Sequence, residues 1–193
     1  MTTLPVVTKH QLRQLARERR MALGDTLRAN HSAQIMERLQ GELAALSPDD
    51  ALLTYRAMNS EVDTGALFQQ PPCRIFAPRT HSHEHMEWVE THPGTHWHTG
   101  IFGIREPAGD RLWHAGPTTI LLCPLTAFDR SGNRLGMGKG CFDIWLAGHR
   151  PAISRIIGLA FSCQEMESIP AEDHDIPLDI VITEKETIAC RTS

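Results

Sequence analysis

The chain has 193 residues, 41% hydrophobic and 22% charged, with a net charge of −4, which suits one folded domain with a substantial core. The balance offers no charge excess for nucleic acid or an anionic membrane, no apolar run approaches the ~20 residues of a membrane span, and no signal-like opening is present. Five cysteines, an odd number without a CxxC pair, point to a reducing cytoplasm rather than a disulfide framework.

Residues 8–23 carry a helical period. Leu12, Leu15, Ala16 and Leu23 form the apolar stripe, and Lys9, Arg13, Arg17 and Arg20 gather on another face. That face reads as a solvated basic surface partly balanced by Glu18, or as a cationic rim that closes over a polyphosphate. A second helix is predicted from Thr26 to about Ala45, with Asp25 as its N-cap and Leu27, Ile35, Leu39 and Leu43 inward.

Residues 51–58 (ALLTYRAM) read as a strand, followed by a turn that carries Glu61 and a short helix starting at Thr64. Glu61 stands at a strand's carboxyl end, where open α/β sheets place ligands; the competing reading is a solvated loop carboxylate. Residues 74–78 and 85–91 read as two further strands, and 102–107 (FGIREP) as an irregular turn. Histidines crowd positions 81, 83, 85, 92, 96 and 98. On a strand, His81, His83 and His85 would share a face, as a zinc or nickel site requires. Neither cysteine nor a tight carboxylate set accompanies them and Pro93-Gly94 marks an exposed loop, so surface histidines are expected.

Residues 119–125 (TILLCPL) read as a buried strand. A turn at 129–133 leads into Arg134-x-Gly136-x-Gly138-Lys139-Gly140, and a helical segment carrying Asp143 runs on to His149. Strand, glycine-rich turn and helix is how backbone N–H groups gather around a phosphate, because glycine admits positive φ and the helix start adds partial positive charge. Arg134 and Lys139 bring charge to the same place, and Asp143, in the first helical turn, is a candidate Mg²⁺ ligand. The loop is neither a P-loop, since Gly140 follows Lys139, nor a dinucleotide fingerprint, since its glycines fall at every second position; a plain tight turn is the competing reading. Residues 155–161 (RIIGLAF) have no polar face and read as a central strand. In the polar turn 169–179, Asp173 and Asp175 are further Mg²⁺ candidates or solvated acids, and 180–183 is the last strand. Strands alternating with helices predict an α/β fold: a single three-layer α/β/α domain over residues 1–193 with a mostly parallel, Rossmann-like sheet.

With these residues in place, the sequence resembles the 5-formyltetrahydrofolate cyclo-ligase (methenyltetrahydrofolate synthetase) family. The resemblance is carried in order along nearly the whole chain by Lys9-x-x-x-Arg13, Glu61-x-x-Thr64, FGIxEP at 102–107 and PLxAFD at 124–129. It continues through NRLGxGKG at 133–140 with Asp143, GLAF at 158–161, and ExHD at 172–175 with Asp179 beyond.

The resemblance implies an ATP- and Mg²⁺-dependent conversion of 5-formyltetrahydrofolate, polyglutamylated or not, to 5,10-methenyltetrahydrofolate. The formyl oxygen is phosphorylated, N10 attacks, and phosphate departs. By position in the family's motifs, Lys139 and Arg134 stabilise the phosphoryl group in flight. Lys9, Arg13, Arg134, Leu135, Gly136, Met137, Gly138, Lys139, Gly140, Cys141 and Phe142 surround ATP. Arg56, Glu61, Met137, Gly138, Lys139, Gly140 and Cys141 face the folate, with Glu61 accepting from pterin N–H groups. Asp143 and Asp175 hold the metal. A cytoplasmic monomer acting on small molecules, with no nucleic acid or membrane partner, is expected.

The family usually has Gly-Tyr-Tyr-Asp where this chain has Gly140-Cys141-Phe142-Asp143. A lost buried hydrogen-bond donor costs about 1–3 kcal/mol, so slower turnover is expected. A lowered thiol pKa is expected for Cys141 in a cationic loop. Two other classes stay open: a non-catalytic folate- or nucleotide-binding relative, and a histidine-rich metal-binding protein.

Overall fold

Consecutive residues of the first strand, β1 (Ala51–Leu53), divide between two buried clusters: Leu52 joins one, Ala51 and Leu53 the other. This period-two division is how a strand covered on both faces reads. The computed structural model describes residues 7–58 and 60–190; residues 1–6, 59 and 191–193 of the expected domain lie outside the described residues.

The remaining strands in chain order are β2 (Arg74–Thr80), β3 (Met86–Thr91), β4 (Trp97–Thr99), β5 (Arg105–Pro107), β6 (Thr119–Pro124), β7 (Ala127–Phe128), β8 (Arg134–Leu135), β9 (Arg155–Leu159), β10 (Ile180–Ile182) and β11 (Thr187–Ala189). The main sheet runs β11-β10-β9-β6-β1-β2-β3. Its interior pairs are parallel, and antiparallel strands β11 and β3 close the edges. The order turns back on itself at β1, since β2 lies on one side and β6 on the other. Such a switch point leaves a crevice at the carboxyl ends of the strands.

Four helices flank the sheet among the described residues: α1 (Lys9–Ala22), α2 (Gly24–Leu43), α3 (Gly65–Gln69) and α4 (Cys141–His149). Ile35, Leu39 and Leu43 of α2 and Leu67 and Phe68 of α3 pack on one face with Leu52, Ile120 and Ile157. Trp145 and Leu146 of α4 pack on the other with Leu53, Leu121 and Ile156. The predicted α/β sandwich with a mostly parallel sheet is the fold, and residues 155–161 supply an interior strand as expected. Each fully buried aliphatic side chain contributes about 1.5–3 kcal/mol of transfer free energy, so both layers are held strongly.

Local expectations are corrected in several places. Thr8, not a helix residue, caps α1 by accepting from Gln11 N–H, and Leu15 is exposed while Leu12 and Ala16 pack against the β7–β8 hairpin. Asp25 lies inside the first turn of α2 and pairs with Arg28; Leu23 occupies the cap position, and Leu27 faces solvent. β1 ends at Leu53 rather than residue 58, because the chain leaves the ladder after Thr54 N–H donates to Phe76 O. Residues 105–107 of the expected irregular turn pair with β4 in a small hairpin. His81, His83 and His85 lie in the turn between β2 and β3, not along a strand, so they share no pleated face.

Candidate functional site

Two cavities open at the carboxyl ends of β1, β2 and β6, and the loop from Arg134 to Gly140 borders both. The first, of about 420 Å³, is lined by Arg56 and Glu61 after β1, Thr80 of β2, Glu106 of β5, Leu125 after β6, and by Met137, Lys139, Cys141 and Phe142. The second, of about 530 Å³, is lined by Lys9 and Arg13 of α1, by Leu135 and Gly138, and by Glu172, His174 and Asp175. Arg134, Gly136, Gly140 and Asp143 line both.

Backbone conformation sets the loop. Gly138 and Gly140 have φ of 96° and 72°, in the left-handed region that side chains avoid, and Gly140 is the N-cap residue of α4. Arg13 reaches across from α1 and its Nε donates to Gly136 O at 2.9 Å. Lys9 lies one helical turn earlier on the same face, with Nζ 2.8 Å from Asp175 and 3.2 Å from Glu172. The cationic rim foreseen on the first helix therefore faces the second cavity through Lys9 and Arg13. Burial works against the Lys9 charge, but these two carboxylates outweigh it and hold the ammonium above its usual range. Burial likewise pushes the Asp175 carboxyl up, and Lys9 together with Glu172 N–H outweighs it, leaving Asp175 below the usual carboxylate range.

Arg134 sits between the cavities with only 5% of its side chain exposed. Its Nη2 donates to Asp143 Oδ1 at 2.6 Å and its Nη1 to Ile176 O. Lys139, on the exposed tip of the loop, holds its ammonium 5.5 Å from the centre of the Phe102 ring and has no carboxylate partner among the described residues. Arg56 stacks its guanidinium 4.7 Å over Trp97.

Glu61 accepts from Met58 N–H at 2.9 Å and lies deep in the wall of the first cavity. Burial raises its pKa above the ordinary value, opposed by that N–H and by the charge of Arg20. Arg20 comes from α1, donates from Nη1 to Leu125 O at 3.5 Å, and has its buried Nε without a partner among the described residues. Burial lowers the Arg20 pKa, with the Glu61 charge opposing.

The sequence-predicted residues thus converge, with differences of side. Met137, Lys139, Cys141 and Phe142, expected around ATP, line the first cavity and not the second; Gly138, expected also on the folate side, lines only the second. The Cys141 thiol is not lowered: burial raises its pKa, and the nearby Lys139 charge does not reverse it. Phe142 packs edge-on to Trp88 with ring centres 5.7 Å apart. Asp173 is exposed and lines neither cavity. His83 packs near Phe102 at 5.0 Å, and His81 pairs with Glu87, so the histidine turn borders the first cavity's rim.

Sequence reasoning gave no role to Glu106, Glu172 or His174, and it put Arg20 on the cationic rim, whereas Arg20 lines neither cavity and its charge acts on Glu61. Glu172, His174 and Asp175 bring ligand atoms within 4.8 Å of one another. For Glu106 the available signal was its place in the FGIxEP motif at 102–107.

The residues suit a hard cation with phosphates. Arg134 holds one Asp143 oxygen and leaves the other free, Asp175 lines the same second cavity, and carboxylate oxygens are the ligands Mg²⁺ prefers. Lys9, Arg13 and Arg134 supply positive charge around that cavity, as a triphosphate requires.

A model of the 5-formyltetrahydrofolate cyclo-ligase family matches residues 5–184. The chain is 31% identical over 160 residues to the 5-formyltetrahydrofolate cyclo-ligase of Haemophilus influenzae, covering 79% of this chain and 81% of that one. It is 29% identical over 192 residues to the Mycolicibacterium smegmatis cyclo-ligase, covering 94% and 96%. Among solved structures, the Aquifex aeolicus 5,10-methenyltetrahydrofolate synthetase superposes with a TM-score of 0.80 at 26% identity over 96% of this chain and 94% of that one.

Proposed function

Since the chain belongs to the 5-formyltetrahydrofolate cyclo-ligase family and is a ligase of that kind, we propose that it converts 5-formyltetrahydrofolate to 5,10-methenyltetrahydrofolate at the expense of ATP, with Mg²⁺. The observation that carries this reading is that one loop, with Arg134 and Lys139, borders two cavities at once. A phosphoryl group passing from a ligand in the second cavity to one in the first must cross that loop.

The chemistry explains why ATP is required. Ring closure has to expel the formyl oxygen, which is a poor leaving group. Transfer of the γ-phosphoryl group to that oxygen breaks the terminal P–O bond of ATP, releases ADP, and leaves an iminium phosphate. The N10 lone pair then attacks the formyl carbon. The C–O bond breaks, N10 loses its proton, and inorganic phosphate departs with the oxygen. The protein's task is to align the two ligands and spread charge over the phosphoryl group.

In this reading Lys9 and Arg13 close on the ATP phosphates, and Gly136, Gly138 and Gly140 let the backbone approach them. Arg134, held by Asp143 and Ile176 O, presents a fixed guanidinium at the border, and the Lys139 ammonium, with no ion-pair partner among the described residues, is free to follow the transferred charge. Mg²⁺ among Asp143, Asp175 and the phosphates would neutralise part of the developing charge. Glu61 receives pterin N–H groups, Arg56 and the apolar walls hold the rest of the folate, and Met137, Cys141 and Phe142 contact it from the loop and the start of α4. One domain acting as a cytoplasmic monomer on small molecules completes the proposal. Against a non-catalytic relative stand the four charges at Lys139, Arg134, Asp143 and Glu61, which binding alone does not require together.

The test is an omission experiment on the purified chain, following the near-ultraviolet absorbance of the methenyl product. Product should form only when 5-formyltetrahydrofolate, ATP and Mg²⁺ are all present. Binding of both ligands without product would instead support the non-catalytic alternative.

A further inference from the structure

Glu106 is a carboxylate that the proposed mechanism leaves without a task. It lines the first cavity from β5 and is 2% exposed. Its Oε1 accepts from Thr80 N–H at 3.0 Å. Its Oε2 has His98 Nε2 at 4.0 Å, beyond hydrogen-bond length, and no nearer donor among the described residues. An ionised carboxylate has about four acceptor sites, and burying one with a single bond is costly unless another donor arrives. The backbone nevertheless makes room for it. A Cβ at position 100 would collide with the Glu106 carboxyl group, so glycine there is what admits the acid.

We infer that Glu106 is a second ligand-binding carboxylate of the first cavity, accepting ring N–H groups of the pterin in addition to those taken by Glu61. The inference rests on the folate reading above. A tetrahydropterin carries donors on its 2-amino group, N3 and N8, which lie on more than one edge of the ring, so a single carboxylate cannot receive them all. Glu61 after β1 and Glu106 on β5 line one cavity from different elements and match that distribution, and they select ring systems that bring several N–H donors.

The decisive variant is Glu106→Gln. The amide oxygen still accepts from Thr80 N–H and keeps β5 tied to β2, while the amide NH₂ replaces Oε2 and turns an acceptor into a donor. Equilibrium binding of 5-formyltetrahydrofolate and of ATP is measured separately for wild type and variant, with a thermal melt of each. The expected result is a folate dissociation constant raised about tenfold or more, with ATP affinity and melting midpoint unchanged. Gly100→Ala, which displaces the same carboxylate, gives the same selective loss. Unchanged folate affinity in Glu106→Gln, or equal weakening of both ligands, overturns the assignment. Wild-type protein that binds no 5-formyltetrahydrofolate overturns the folate reading itself, and this assignment with it.

Discussion

Arg134 donates to Asp143 Oδ1 at 2.6 Å from a position where only 5% of its side chain meets solvent, and the same guanidinium donates to Ile176 O. One buried arginine thus ties the loop, the start of α4 and the 169–179 turn together at the border of both cavities. Arg134→Ala removes both ties, so the Ile176 carbonyl and the Asp143 carboxylate lose the guanidinium that holds them. We expect kcat/KM to fall by about 10²–10³ and stability to drop by roughly 2 kcal/mol, read by product formation and by urea unfolding. Arg134→Lys, which keeps charge and loses the fork, should recover the stability more than the rate.

Glu61 is raised in pKa by burial, so folding favours its protonated form. A carboxyl raised on folding contributes stability below its unfolded pKa and loses that contribution as pH rises through the folded value. At neutral pH the charged side chain is therefore a burden on the fold. Glu61→Gln should melt higher than wild type at pH 7, the gap should close as pH falls below the ordinary carboxylate range, and folate binding should weaken. Thermal melts across pH test the sign: a variant that melts lower than wild type at pH 7 would contradict it.

Asp175 is shifted the other way. Burial pushes its pKa up but Lys9 and Glu172 N–H outweigh that, so its stabilising contribution is present above the ordinary carboxylate range and is lost as pH falls through the lowered folded value. Lys9→Met should cost under about 1 kcal/mol at neutral pH, because the pair is partly solvated, and its difference from wild type should vanish as pH falls through the lowered Asp175 value. The larger effect should fall on the KM for ATP, raised about tenfold by loss of a charge-assisted phosphate contact. Asp175→Asn should raise the Mg²⁺ concentration needed for half-maximal rate, and an unchanged Mg²⁺ dependence would remove Asp175 from the metal.

Burial raises the Cys141 thiol pKa. Iodoacetamide should therefore label it more slowly than a free thiol at neutral pH, checked by mass spectrometry of the modified peptide. Because Cys141 lines the first cavity and not the second, Cys141→Tyr should change the KM for 5-formyltetrahydrofolate and leave that for ATP alone.

Much of this arrangement was legible in the chain, for physical reasons that differ by residue. Apolar runs such as 119–125 and 155–161 have no polar face, so an interior strand follows directly. The loop from Arg134 to Gly140 stands out because closely spaced glycines and cations can gather around a phosphate, but the same spacing also makes a plain tight turn, and only the family's neighbouring motifs decide between the two. What composition and period conceal is which side a residue takes. Leu15 and Leu27 fit a helical stripe yet face solvent, because the stripe is wider than the surface each helix covers. Lys139 and Gly138 are neighbours, yet they line different cavities once the positive φ of Gly138 turns the chain between them. Glu106 was hidden for a third reason. Its burial depends on Thr80 and on the space left by Gly100, contacts that its own stretch of sequence does not display.

The measurement that tests the central claim most directly is the yield of ADP and of methenyl product, taken together, in wild type and in Lys139→Ala. Lys139 is exposed and makes no ion pair among the described residues, so its removal leaves the fold intact. The account predicts equal amounts of ADP and product in wild type, and a rate lower by about 10²–10³ in the variant at unchanged melting midpoint. Wild-type protein that releases ADP without product, or a variant as fast as wild type, would contradict it.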